Sequence, residues 1–205
     1  MPWIVAADSV TLRVESVAMT RLALCVAVPG AEADLNRMQA EWARTLLGIP
    51  GYPQGTWSYL ICEVGFQYRL GTCIMCEAIM LETRLLLLPE ALPVYRLLLL
   101  ARQSDLPNWA NQVCEVRRKL NNMPDVLSVL GDGITEDLRK SADARRKLAK
   151  QYRINVLLPV LREYDYNALL TATKKSLHCG STFFLIAYCI FTFDALMGTI
   201  MLIDR

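Results

Sequence analysis

The run from Arg69 to Leu88 (RLGTCIMCEAIMLETRLLLL) constrains the fold of this chain more than any other stretch. It is rich in good helix formers and Pro89 stops it, so it reads as one long helix. Beyond its first residue only Thr72, Glu77, Glu82, Thr83 and Arg84 are polar. A helix so apolar must be covered around most of its circumference by other elements. Convincing alternating strands are almost absent elsewhere, so the covering elements are helices too. The expectation is an all-α, helical bundle-like domain over residues 1–175, followed by a hydrophobic C-terminal segment over residues 176–205 that reads as a helix.

The neighbouring segments supply that covering. Trp3 to Val14 is a short strand or an irregular lead-in, and Glu15 to Val28 is apolar nearly all round, as a buried helix is. Pro29-Gly30 breaks it. Pro50 to Gly55 is a loop, and Thr56 can cap a short helix ending before Gly65. Pro93 to Arg102 is another apolar helix. Asp105-Leu106-Pro107 opens a further one to about Leu120, with Arg117-Arg118-Lys119 where cations suit the helix dipole. Turns at Asn121 to Pro124 and Gly131 to Gly133 flank a weaker element. Thr135 then caps a basic helix, Asp137 to Arg153, which continues through a kink near Pro159 to Tyr166.

Composition excludes several classes. With 54% apolar and 20% charged residues, the 205-residue chain is not disordered and has a large core to bury. Its formal charge of +2 is too small for a free-standing polyanion binder with a uniformly basic surface. The charge is uneven, however: Glu136 to Lys175 carries +5 and the remainder −3. Seven cysteines lie scattered through apolar segments, and Met1 to Val10 has no basic signal-like region, which fits reduced, buried thiols inside a cell. The only histidine, His178, leaves a histidine-based metal site or a Ser-His-Asp hydrolase without support.

Leu35 to Pro50 (LNRMQAEWARTLLGIP) is the most informative text for function. Leu35, Met38, Trp42 and Leu46 form an apolar stripe at helical spacing, while Arg37, Glu41 and Arg44 fall on another face. Gln39, Trp42-Ala43 and the exit Leu46-Leu47-Gly48-Ile49-Pro50 resemble a helix downstream of the polymerase palm in reverse transcriptases of non-LTR retrotransposons. Cys62 to Thr72 (CEVGFQYRLGT) is similar to that family's short E-x-G element and the helix after it. The apolar helix ending Leu87-Leu88-Pro89 continues the likeness, which extends over roughly Arg13 to Asp165. In that family the opening helix begins the thumb, which holds the template–primer. The resemblance implies an RNA–DNA or RNA duplex as partner, a palm and fingers domain elsewhere, and a nuclear or cytoplasmic place in the cell.

Catalysis by this chain alone is not expected. Reverse transcription needs paired aspartates to hold two metal ions, and no adjacent Asp-Asp occurs. Ala6-Ala7-Asp8-Ser9 superficially resembles the family's turn, but Ser9 replaces the second aspartate and the thumb-like helix follows too soon. Cys73-Ile74-Met75-Cys76 has the spacing of a zinc or redox pair, yet no second pair accompanies it, so packing explains it better. No phosphate-loop, dinucleotide or zinc-protease motif occurs, and no cofactor is expected. The basic helix remains, with Arg139, Arg146, Lys150 and Arg153 close to one face and Lys140, Arg145 and Lys147 adjacent. It is either a solvated face or a strip for phosphates. Arg37, Arg44, Arg139, Arg146 and Lys150 are the candidate phosphate contacts. Trp42, Trp57 and Tyr68 can stack on bases or serve the core.

Ser181 to Ile203 carries a single charge, Asp194, and matches the ~20 residues that cross a bilayer. Burying Asp194 at mid-membrane would cost about 2.5–3.5 kcal/mol, which the flanking Phe, Leu and Ile offset in sum. Lys174 and Lys175 would set the cytoplasmic side. A membrane anchor, a hydrophobic helix or strand pair packed on the domain, and sequence foreign to the family all fit this tail. An anchored helical adaptor or a relic of a retroelement are therefore the alternative functions.

Overall fold

A computed structural model describes residues 22–47 and 69–177, with side chains at 23–42, 69–131, 133–168 and 171. Among these residues the chain is helical and contains no strand. In order the helices are α1 (Leu22–Cys25), α2 (Ala31–Leu47), α3 (Leu70–Leu86), α4 (Pro93–Gln103), α5 (Trp109–Lys119) and α6 (Val126–Leu130). After a 3₁₀ turn at Gly131–Gly133 come α7 (Glu136–Lys140), α8 (Ala142–Tyr152), a π turn at Arg153–Leu157 and α9 (Leu158–Leu177).

The apolar run of the sequence is α3, and it is the axis of the fold. Helices α1, α2, α4, α5, α6, α8 and α9 all touch it. Its Ile74, Met75, Ala78, Ile79, Met80 and Leu86 are buried. Against them lie Tyr95 and Leu98 of α4, Val113 and Val116 of α5, Val126 of α6, Ala149 and Tyr152 of α8, and Leu161 of α9. Burying a Leu or Ile side chain contributes about 1.5–3 kcal/mol, so this cluster is the main source of stability.

Coverage around most of its circumference forces polar solutions along α3. Its first N–H groups have no partner within the helix. Gln39 Oε1 accepts from Leu70 N at 2.8 Å and Asn36 Oδ1 accepts from Gly71 N at 2.8 Å. Asp165 accepts from Arg69 Nε at 2.7 Å and from the Thr72 hydroxyl at 2.6 Å, and Arg69 stacks on Tyr164. Gly71 is needed at this junction, because a Cβ there would stand 2.6 Å from Glu32 Cγ. In mid-helix the Glu82 carboxylate is 0% exposed and takes two guanidinium groups, Arg102 at 2.7 Å and Arg117 at 2.7 Å. Arg102 also reaches Asp125, while Arg117 donates to Pro124 O and to Tyr152 Oη. Burial opposes the Arg117 charge, but Glu82 and the Tyr152 hydroxyl hold its guanidinium above the ordinary arginine value.

Several expectations shift. Helix α2 begins at Ala31, and its one buried side chain among those described is the polar Gln39, while Leu35, Met38 and Trp42 are only half-buried. The helix before Pro29 ends at Cys25, short of Val28, and its Leu24 is exposed. Directly after the Asp105-Leu106-Pro107 opening, Asn108 caps α5, accepting from Asn111 N. On α4, Leu97 and Leu100 face outward. The basic helix expected from Asp137 to Arg153 is broken at Ser141, whose extended backbone ends α7 and whose hydroxyl caps α8 by accepting from Ala144 N. The kink near Pro159 takes the form of the π turn, in which Leu158 N donates to Arg153 O. Pro159 has no N–H and crowds the preceding turn, and one extra residue in that turn accommodates it. The lead-in with Asp8, the Thr56 helix, Trp57, Tyr68, His178 and the tail at 181–203 lie outside the described residues.

The Glu82 cluster generates the first prediction. Glu82→Ala leaves two arginines without their shared carboxylate and should lower stability by about 3–5 kcal/mol in chemical denaturation. Glu82→Gln, which keeps one acceptor, should cost less.

Candidate anion-binding cleft

Where α3 and α8 meet, the small residues of α8 leave a gap rimmed by cations. Met80, Arg84 and Leu88 recur every four residues along one side of α3 and its exit. Ala142, Arg145, Arg146, Ala149, Lys150 and Arg153 recur at the matching helical spacing along α8 into the π turn. Ala142 and Ala149 have too little side chain to fill the space between the helices, and a cleft of about 520 Å³ results. Its floor is apolar (Met80, Leu88 and Ala149), the exposed Ala142 stands at its mouth, and its walls carry five cationic side chains. No carboxylate lines it.

The five cations are not equivalent. Arg145 is half-buried and donates through Nη1 to Arg139 O and to Lys140 O, which anchors it on the last carbonyls of α7. Arg84, Arg146, Lys150 and Arg153 are exposed. Arg146 meets Asp143 at 3.5 Å, but both side chains are more than 80% exposed, so the pair holds it weakly. Arg153 also reaches the Cys76 thiol, whose pKa burial pushes up to about 11 against the pull of that arginine. A thiol so protonated is neither a nucleophile nor a ready metal ligand at neutral pH. Among the described residues no group of His, Cys, Asp and Glu could hold a metal ion.

Of the residues singled out by sequence, Arg146 and Lys150 line the cleft. Arg139 does not. It is buried, donates to Leu86 O at 3.0 Å and Leu88 O at 2.9 Å, and lies over the Tyr95 ring. The break at Ser141 is the reason, because it takes Arg139 off the face shared by Arg146 and Lys150. Arg37 is exposed on α2 and pairs with Asp34 at 2.9 Å, well away in sequence and element from the cleft. The Arg44 side chain lies outside the described residues, and Trp42 is half-buried. Sequence reasoning missed Arg84 as a wall and placed Arg145 and Arg153 only beside or on the strip. The single cation of α3 after Arg69 was the available signal for Arg84.

No protein-family model matches the chain, and no curated protein or solved structure matches it either. The site must be read from its own geometry. An acid-free, cation-walled cleft raises the local concentration of anions, and its guanidinium groups can pair with two oxygens of a phosphate or a carboxylate.

The two classes of arginine separate by experiment. Arg139→Ala strands two carbonyls at the end of α3 and should cost about 2–4 kcal/mol of stability. Arg146→Ala and Lys150→Ala should change stability by under about 0.5 kcal/mol, as exposed substitutions do. Thermal melts of the three variants check this.

Proposed function

We propose that this chain is a non-catalytic helical module that holds nucleic acid by its phosphate backbone. The observation that carries the reading is the convergence of Arg84, Arg145, Arg146, Lys150 and Arg153 on one cleft with no carboxylate in its lining. The text of Leu35 to Pro50 and Cys62 to Thr72, similar to the thumb region of non-LTR retrotransposon reverse transcriptases, supports a template–primer as the ligand. In such an assembly a palm and fingers domain would do the chemistry, and this helical unit would supply grip. Phosphate contacts fix position without reading sequence, so binding should be indifferent to base order.

Fluorescence anisotropy of the full chain with a labelled template–primer bearing an unpaired template overhang tests this. Four exposed cations in the cleft would give a slope of log affinity against log salt of about −3. Arg146→Ala with Lys150→Ala should reduce that slope by about 1.5. A folded protein that binds no nucleic acid at low salt overturns the reading.

A second reading rests on the tail. Residues 181–203, with Asp194 their only charge, would form an apolar helix that anchors the helical unit as an adaptor. No helix among the described residues is long and apolar enough to cross a membrane. An expressed chain that resists alkaline extraction from membranes, and is released when 181–203 are removed, would support it. Extraction of the intact chain into the aqueous phase would exclude it.

A further inference from the structure

The shape of the cleft narrows the ligand further than its charge does. A duplex is a convex rod with its phosphates outside and its bases stacked within. Against this cleft it could meet only the rim, leaving the partly open Leu88 side chain idle beneath the cations. An unpaired strand is different, because it can turn a sugar or base inward while its phosphates stay outside. The volume of about 520 Å³ falls within the range of about 300–1,000 Å³ typical of clefts that enclose small ligands.

We infer that the α3–α8 cleft takes one nucleotide unit of an unpaired strand, and so engages the single-stranded part of a template–primer and not its duplex. This rests on the nucleic-acid reading above and specifies which part of the ligand the cleft contacts. Arg84 on one wall and Arg146, Lys150 and Arg153 on the other contact the phosphates flanking the inserted unit. Arg145 is already oriented by its bonds to Arg139 O and Lys140 O, so ordering it costs less entropy on binding. The inserted sugar or base covers Leu88. No aromatic ring lines the floor, so the cleft discriminates little among bases.

Ala142 gives a clean test. It is exposed at the first position of α8, where a carboxylate is favoured by the helix dipole, so Ala142→Glu should preserve the fold. The same substitution places a negative charge at the mouth of the cleft. Ala142→Gln has the same size without the charge. The full chain is titrated with a labelled single-stranded oligouridylate and, at equal salt, with a blunt RNA–DNA hybrid.

The expected result is single-strand binding at least about tenfold tighter than hybrid binding, reduced about tenfold by Ala142→Glu and much less by Ala142→Gln. If the hybrid binds as tightly as the single strand, and Arg146→Ala with Lys150→Ala weakens both, the nucleic-acid reading stands and the inference of an inserted nucleotide falls. Single-strand binding that Ala142→Glu leaves unchanged also overturns the inference. Binding of neither ligand overturns both.

Discussion

Everything described in this molecule depends on the burial of α3. A helix covered around most of its circumference gains much from the hydrophobic effect, but its buried ends and buried polar side chains must find partners in protein, because water cannot reach them. Here the partners come from across the chain. Gln39 and Asn36 of α2 meet the first N–H groups, Arg102 and Arg117 meet Glu82, and Arg139 meets the last carbonyls. Each is charged or amide-bearing, and each fixes one surrounding helix in register on the central one. Greasy contacts alone would let those helices slide.

That demand sorts the basic residues into two populations. Arg69, Arg102, Arg117 and Arg139 are spent inside the fold on carboxylates, carbonyls and aromatic faces. Arg84, Arg146, Lys150 and Arg153 remain at the surface around one cleft. Net charge conceals this division. An overall +2 suggests little affinity for polyanions, yet the interior carboxylates are neutralised by interior arginines and the cleft keeps its own cations. A patch of one sign against an apolar floor has more pull on a phosphate than the average over the whole surface implies.

The two breaks in the basic segment shape this site. Ser141 ends α7 and restarts the chain as α8, which sends Arg139 inward and leaves Arg146 and Lys150 outward. The regular spacing of α8 carries Arg153 onto the wall of the cleft, and the π turn before Pro159 then lets α9 leave to dock, through Asp165 and Tyr164, on Arg69 at the far end of α3. A single uninterrupted helix over this stretch could not present its cations and reach both ends of α3 in the same way.

The sequence alone determined the helical class, the central place of Arg69 to Leu88, and the stops at Pro29-Gly30 and Pro89. These follow from local rules: propensity, apolar content and the geometry of proline and glycine. It also put Arg146 and Lys150 on a surface, since adjacent cations on a helix seek water. Only the tertiary structure decided that Gln39 is buried, that Arg139 is a cap for α3, and that Arg84 joins the cleft. Each of those fates depends on a partner tens of residues away, such as Leu70 for Gln39 or Leu86 for Arg139. Helical periodicity assigns a residue to a face of its own helix. What that face meets is set by long-range packing, and Ser141 shows how one capping residue can overturn the face itself.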